Sequence, residues 1–192
     1  MRDVDVVVIG AGQAGLSSAY HLRRRETDFV VLDANPGPGG AWQHRWPSLT
    51  LGTTHRIHDL PGMPLGSPDL DEPASSVVAR YYDAYERHFS LPVHRPVKVH
   101  RVTSPFGADG PLHVHTDEGT WRTDALINAT GTWDRPHWPY YPGRELFLGR
   151  QLHTHDFRSA EEFRGKHVVV VGGARRRSSS CSRSPRWPPR PG

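Results

Sequence analysis

Cysteine is nearly missing from this 192-residue sequence: there is one, Cys181, close to the C-terminal end. A disulfide framework is therefore excluded, as are a cysteine metal site and a Cys-x-x-Cys redox pair within these residues. No run approaches the ~18 apolar residues of a membrane helix. The start, MRDVDVVVIGAG, has no basic segment leading into an apolar one, so it does not read as a signal peptide. A soluble cytoplasmic protein without a membrane partner is expected. Acid is absent from residues 174–192, which hold Arg175, Arg176, Arg177, Arg183, Arg186 and Arg190. Without these six, the 24 basic residues fall to 18, against 20 acidic ones. The basic balance belongs to the tail and gives no argument for a nucleic-acid partner. Histidine is plentiful at 13, yet no two histidines stand four apart as a helical metal pair would. His153 and His155, beside Asp156, would share a strand face, and no metal is expected there.

What is present is a set of buried-strand and helix patterns. Val4–Ile9 is a β-branched run ending at Gly10, and Gly12 to Arg25 has helical spacing. Phe29–Leu32 is a second apolar run, closed by Asp33, which completes a β–α–β unit in ~30 residues. From Ala34 to Pro73 the chain is rich in Gly, Pro, His and Trp, has no periodicity, and reads as a long functional loop. Ser75–Phe89 is an amphipathic helix whose tyrosines fit a core better than a ligand site. Val97–Thr103, Leu112–Thr116, Thr120–Arg122 and Ala125–Ala129 read as strands of a small antiparallel meander. Val168–Val171 is a third fully apolar strand candidate.

Gly10-Ala11-Gly12-Gln13-Ala14-Gly15 is G-x-G-x-x-G, placed after a strand and opening a helix. Asp33 follows Gly15 by 18 residues, at the end of the next strand. That context makes the string a dinucleotide fingerprint. Gly10 permits the tight turn, Gly12 lets a pyrophosphate approach the backbone, and Gly15 lets helix and strand pack closely. The helix start offers N–H groups and partial positive charge to phosphate. Asp33 would accept hydrogen bonds from ribose hydroxyls.

Further motifs specify which dinucleotide. Gly39-Gly40-Ala41-Trp42 follows the acid, and Ala129-Thr130-Gly131 closes a late strand, with Trp133, Pro136, Pro139, Pro142 and Gly143 beyond it. Phe147-x-Gly149-x-x-x-His153-x-x-x-Phe157 then lies before a second nucleotide-type strand. Over roughly residues 3–173 the chain resembles the flavin-containing monooxygenases and their Baeyer–Villiger relatives. The resemblance implies a Rossmann-like α/β FAD-binding domain, a parallel sheet with helices plus the meander. It implies FAD at the N-terminal fingerprint and at Gly40, Trp42, Ala129, Thr130 and Gly131. Phe147, Gly149, His153 and Phe157 match the family's identifying motif, with His153 shaping the connection between two nucleotide domains. Trp42 and Arg45 are placed near the flavin, and His44, His55 and His58 are candidates to face substrate.

A second fingerprint, for NADPH, would follow Val171. Gly172 and Gly173 begin it, but Ala174 and three arginines come next. Bulky cations there remove the close backbone approach, and an Arg/Ser/Pro segment buries too little to order itself. A one-base slip in reading frame accounts for the break. Arginine codons of the CGN type become Ala, Ser, Thr or Pro codons, and TCN serines become Ile, Leu, Val or Phe codons. The tail can then be read ASAVQLLLEIAPVAATTW; joined to Gly172-Gly173 and one restored residue it gives GGGASAVQLLLEIAP, a G-x-G-x-S-A opening an apolar helix. The rival, a genuine basic tail that contacts phosphates, lacks repeats and aromatics other than Trp187. Residues 1–165 are thus expected to form an incomplete FAD-binding domain and 166–173 the first strand and turn of an NAD(P)-binding domain. Residues 174–192 would be a disordered, out-of-frame tail.

By resemblance the intact protein is an FAD- and NADPH-dependent monooxygenase that transfers one oxygen atom to a nitrogen, sulfur or ketone of a small molecule. The cofactor carries that chemistry, so no acid–base residue is singled out. For these 192 residues alone, weak or absent FAD binding and no turnover are expected. The alternatives are a non-oxygenating FAD/NAD(P)-dependent oxidoreductase of the disulfide-reductase type, or a non-catalytic flavoprotein remnant.

Overall fold

The computed structural model describes residues 1–54, 57–107 and 110–172. The apolar runs near the N-terminus form its centre: β1 (Arg2–Ile9) and β2 (Phe29–Leu32), joined by α1 (Gln13–Arg23). Every residue of β2 is buried. In β1, Val8 faces Leu16 and Ala19 of α1, while Val7 faces the other way, toward Val30, Leu32, Val114 and Trp121. Strands covered on both faces read as continuous apolar runs rather than alternations, and that is how these were legible.

After β2 come α2 (Ala74–His88), β3 (Val93–His94), β4 (Val99–Thr103), β5 (Leu112–Thr116) and β6 (Gly119–Asn128). They complete a six-stranded sheet in the order β3-β2-β1-β6-β5-β4. β1 pairs in parallel with β2 and β6, and β2 with β3; β6, β5 and β4 run antiparallel. The expected meander is therefore an extension of the parallel sheet. The two strands expected at 120–122 and 125–129 are one, because Thr123 between them stays in register. Its buried hydroxyl donates to the Asp5 carbonyl at 2.9 Å, so a polar residue costs the strand nothing unsatisfied. β3 carries too few residues to show a period; it is fixed by Val31 N–H to Pro92 O and Asp33 N–H to His94 O, both 3.0 Å.

Val77, Val78, Tyr81, Tyr82 and Tyr85 form the buried face of α2, as their spacing predicts. Burying side chains of this size stabilises by about 1.5–3 kcal/mol each. Two of the tyrosines also fasten the long loop. The Tyr81 hydroxyl accepts from Leu60 N–H at 2.7 Å and donates to Met63 O at 2.5 Å. Tyr85 donates to Pro61 O at 2.7 Å. Burial raises the Tyr81 and Tyr85 hydroxyls, and pushes that of Tyr82 up to about 12. The loop is not wholly irregular: Gly40–His44 and Leu51–Thr53 are short 3-10 turns.

One expected element does not form. Val168–Val171 belongs to no strand and is 54–86% exposed. An apolar run becomes a buried strand only where neighbouring strands supply hydrogen bonds and cover, and among the described residues none pairs with it. Gly173 and the tail at 174–192, with the reading-frame expectation attached to it, lie outside the described residues.

Candidate dinucleotide-binding site

The three glycines of the fingerprint occupy different surroundings. Gly10 has φ +98°, a left-handed backbone, and a Cβ there would lie 2.6 Å from the Ala129 carbonyl oxygen. At Gly15 a Cβ would stand 1.8 Å from the Gly10 carbonyl oxygen, so α1 rests directly on the turn. Gly12 is the opposite case: a Cβ would meet nothing within 4 Å. Two glycines are thus required by the protein's own packing. The third fronts open space.

Around that space the structure gathers separate parts of the chain. Gly40 has φ +52°, and a Cβ on it would come within 2.8 Å of Gly12 Cα, so the Gly39-Gly40 turn lies against the fingerprint. Ala129 follows β6 and donates its N–H to Ile9 O at 2.9 Å, which sets Ala129-Thr130-Gly131 beside the end of β1. The Asn128 carboxamide oxygen accepts from Thr130 N–H and from the Thr130 hydroxyl, holding that turn. β1 sits between β2 and β6, so the gathering point is the carboxyl-end crevice where strand order reverses, the usual ligand position in such sheets. Gln13 and Ala14, both exposed, open α1, where no side chain caps the helix. The first helical bond runs from Leu16 N–H to Gly12 O, 2.9 Å. The N–H groups before it have no intrahelical acceptor and face the crevice end with the helix's partial positive charge.

Asp33 ends β2 with its side chain 4% exposed. Its Oδ1 accepts from Asn35 N–H (3.2 Å) and Asn35 Nδ2 (2.9 Å), and its Oδ2 accepts from Arg95 Nη2 at 3.3 Å. Arg95 and its second partner, Glu86 on α2, were not legible as site residues. A buried arginine in a short connection carries no periodic signal; only the fold brings it beneath Asp33.

Trp42 packs half-buried against the core of α1 and α2, with the Arg45 guanidinium 5.8 Å from its ring centre. Arg45 lies closer to Trp133, at 4.5 Å, and His44 stacks on the same ring at 5.8 Å. His44, Arg45 and Trp133 line an open cleft of about 540 Å³ together with Trp46, His155 and Arg158. His58 is exposed, and His55 lies outside the described residues.

The residues of the later motif are not drawn together as a group. The Phe147 ring folds over Gly149, where a Cβ would be 2.6 Å from its Cζ, and Phe147 is 60% exposed. His153 Nδ1 accepts from His155 N–H at 3.1 Å, capping a turn, and its ring tilts against Trp138. Phe157 meets Trp46 edge-on at 4.8 Å and so ties this segment to the long loop. The Asp156 carboxyl is held below its usual range by a hydrogen bond from His155. Gly172 is exposed with φ +110°, and a Cβ there would meet nothing within 4 Å.

A family model described as pyridine nucleotide-disulphide oxidoreductase matches residues 7–178. A flavin-containing monooxygenase from Stenotrophomonas maltophilia superposes with a TM-score of 0.73 at 43% identity, over 85% of this chain and 49% of its own. The uncharacterized oxidoreductase CzcO of Bacillus velezensis is 30% identical over 169 residues, 88% of this chain and 48% of its length. Indole-3-pyruvate monooxygenase YUCCA1 of Oryza sativa subsp. japonica is 30% identical, over 86% and 41% respectively. The chain spans about half the length of the curated relatives it matches.

Proposed function

The chain belongs to the pyridine nucleotide-disulphide oxidoreductase family, among the flavin-containing monooxygenases, and from that premise we propose an FAD- and NADPH-dependent monooxygenase acting on a small molecule in the cytoplasm. The observation that carries the reading is the open space before Gly12, bounded by Gly10, Gly40 and Ala129. A pyrophosphate fits such a cradle, since the backbone there can be approached without a side chain intervening. The N–H groups at Gln13 and Ala14 would bind it, and Asp33 would take the adenosine ribose. Trp42 and the Ala129-Thr130-Gly131 turn would border the rest of the FAD. When bound, the flavin supplies the redox chemistry with dioxygen. The chain's own work is to orient it and to exclude water.

The same reading assigns residues 1–165 to the FAD domain and 166–173 to the start of the NAD(P) domain. The exposed valines at 168–171 support it: four adjacent apolar residues left in water are a surface that neighbouring strands would cover. His153 and Phe157 would steady the link between the two domains. These 192 residues carry one complete fingerprint, so alone they would hold FAD weakly and oxidise no NADPH. The test is equilibrium dialysis of the purified chain against FAD, with NADPH consumption followed in parallel. Saturable 1:1 FAD binding without turnover is expected. No FAD binding at any concentration, or binding unaffected by excess ADP, would reject the assignment.

A further inference from the structure

Arg95 is among the most enclosed charges of the described residues. Its side chain is 14% exposed. Glu86 grips it with both carboxylate oxygens, Nη1 to Oε2 at 2.7 Å and Nη2 to Oε1 at 2.8 Å. The same Nη2 reaches Asp33 Oδ2 at 3.3 Å. Burial would lower the arginine's proton affinity, but the two carboxylates outweigh it and raise it above its ordinary value. The guanidinium is therefore a fixed cation joining α2 to the end of β2.

We propose that Arg95, clamped by Glu86, is a positioning residue that sets the Asp33 carboxylate for a single ribose hydroxyl. The inference rests on the dinucleotide reading of the Gly10–Gly15 turn. A carboxylate offers about four acceptor positions. Asn35 fills two on Oδ1 and Arg95 one on Oδ2, which leaves one, on Oδ2. The charge count points the same way. Asp33, Glu86 and Arg95 sum to one net negative charge in an enclosed place, and Arg95 has its planar fork committed to Glu86. A neutral hydroxyl can share the last lone pair. A 2′-phosphate would meet a net negative cluster and an arginine whose two Nη atoms are already engaged, its unpartnered Nε being buried. The structure thus selects an adenosine with a free 2′-hydroxyl, and Arg95 serves that choice through Asp33 without touching the ligand.

The test compares ADP with 2′-deoxy-ADP by calorimetry on the 192-residue chain, in the wild type, Arg95→Lys and Glu86→Gln. A hydrogen bond to a charged acceptor makes the expected wild-type preference for ADP about tenfold or more. Lysine is a point charge that cannot bridge both carboxylates in the same geometry, so Arg95→Lys should bring the preference below about threefold. A general loss of folding weakens both ligands together and leaves their ratio intact, so the ratio isolates positioning. Glu86→Gln keeps the Arg95–Asp33 pair and guards against a lysine variant that does not fold; its ratio should also fall. A wild-type preference that persists in both variants overturns the role of Arg95. Equal wild-type affinity for the two ligands overturns the single-hydroxyl site at Asp33. Failure of the wild type to bind ADP or FAD at all rejects the dinucleotide reading itself.

Discussion

Replacing Gly12 and Gly15 one at a time by alanine separates a glycine kept for a ligand from one kept for the fold. In Gly15→Ala the new Cβ would sit 1.8 Å from the Gly10 carbonyl oxygen. An ordinary contact needs about 3.5 Å, so helix and turn must part by roughly 1.7 Å. Overpacking of this kind costs about 1–3 kcal/mol or more, and a backbone oxygen cannot rotate away. Alanine returns about 1 kcal/mol of helix propensity. The net loss is about 2 kcal/mol, a fall in Tm of roughly 4–8 °C for a chain of this size. Gly12→Ala meets no atom within 4 Å and has φ −79°, which any residue adopts. Its capping cost of up to ~1 kcal/mol is offset by a gain of about 0.4–1 kcal/mol from a stiffer unfolded chain. Its Tm should stay within about 2 °C of wild type. Yet its methyl group points into the cradle, where lost N–H contacts to phosphate are worth about 1.5–3 kcal/mol, or tenfold and more in FAD affinity. Thermal unfolding and a flavin-fluorescence titration on both variants provide the assay. Wild-type FAD affinity in Gly12→Ala, or an unchanged Tm in Gly15→Ala, refutes the reasoning.

Leu16→Ala, on the buried face of α1 with no exposure, should cost about 2–5 kcal/mol in urea unfolding. Alkaline titration should leave stability flat below pH 10 and lower it from there to about pH 12. Tyr82 stays protonated in the fold up to about 12, while the unfolded chain releases that proton near 10. The slope is about 1.4 kcal/mol per pH unit for this group, and Tyr82→Phe should remove that share of it. Val169→Asp should change stability by no more than about 0.5 kcal/mol, since Val169 is 86% exposed; a larger loss by urea unfolding would mean the run is packed.

The first β–α–β unit was readable as a unit because each rule it obeys is local. β-branched runs mark strands covered on both faces, the glycine turn precedes the helix, and the acid closes the next strand. β2 falls at Phe29–Leu32 as its composition dictates. What the sequence hid depends on partners distant along the chain. β3 is two residues long and exists because β2 accepts it. β6 runs unbroken because Asp5 satisfies Thr123. The run at 168–171 has strand composition and no strand, since composition cannot provide a neighbour. Gly10, Gly12, Gly15 and Ala129 stand out by motif and the fold sets them side by side, whereas Arg95 lies 62 residues beyond Asp33. No spacing rule joins residues so far apart.

The most direct measurement is an FAD titration of the isotope-labelled chain followed by amide NMR. The amides of Gly12, Gln13 and Ala14 should shift saturably with FAD, together with those of Asp33, Gly40 and Thr130, while Val168–Val171 stay still. A spectrum in which the Gly12–Ala14 amides do not move at saturating FAD would contradict the claim that this crevice is a flavin dinucleotide site.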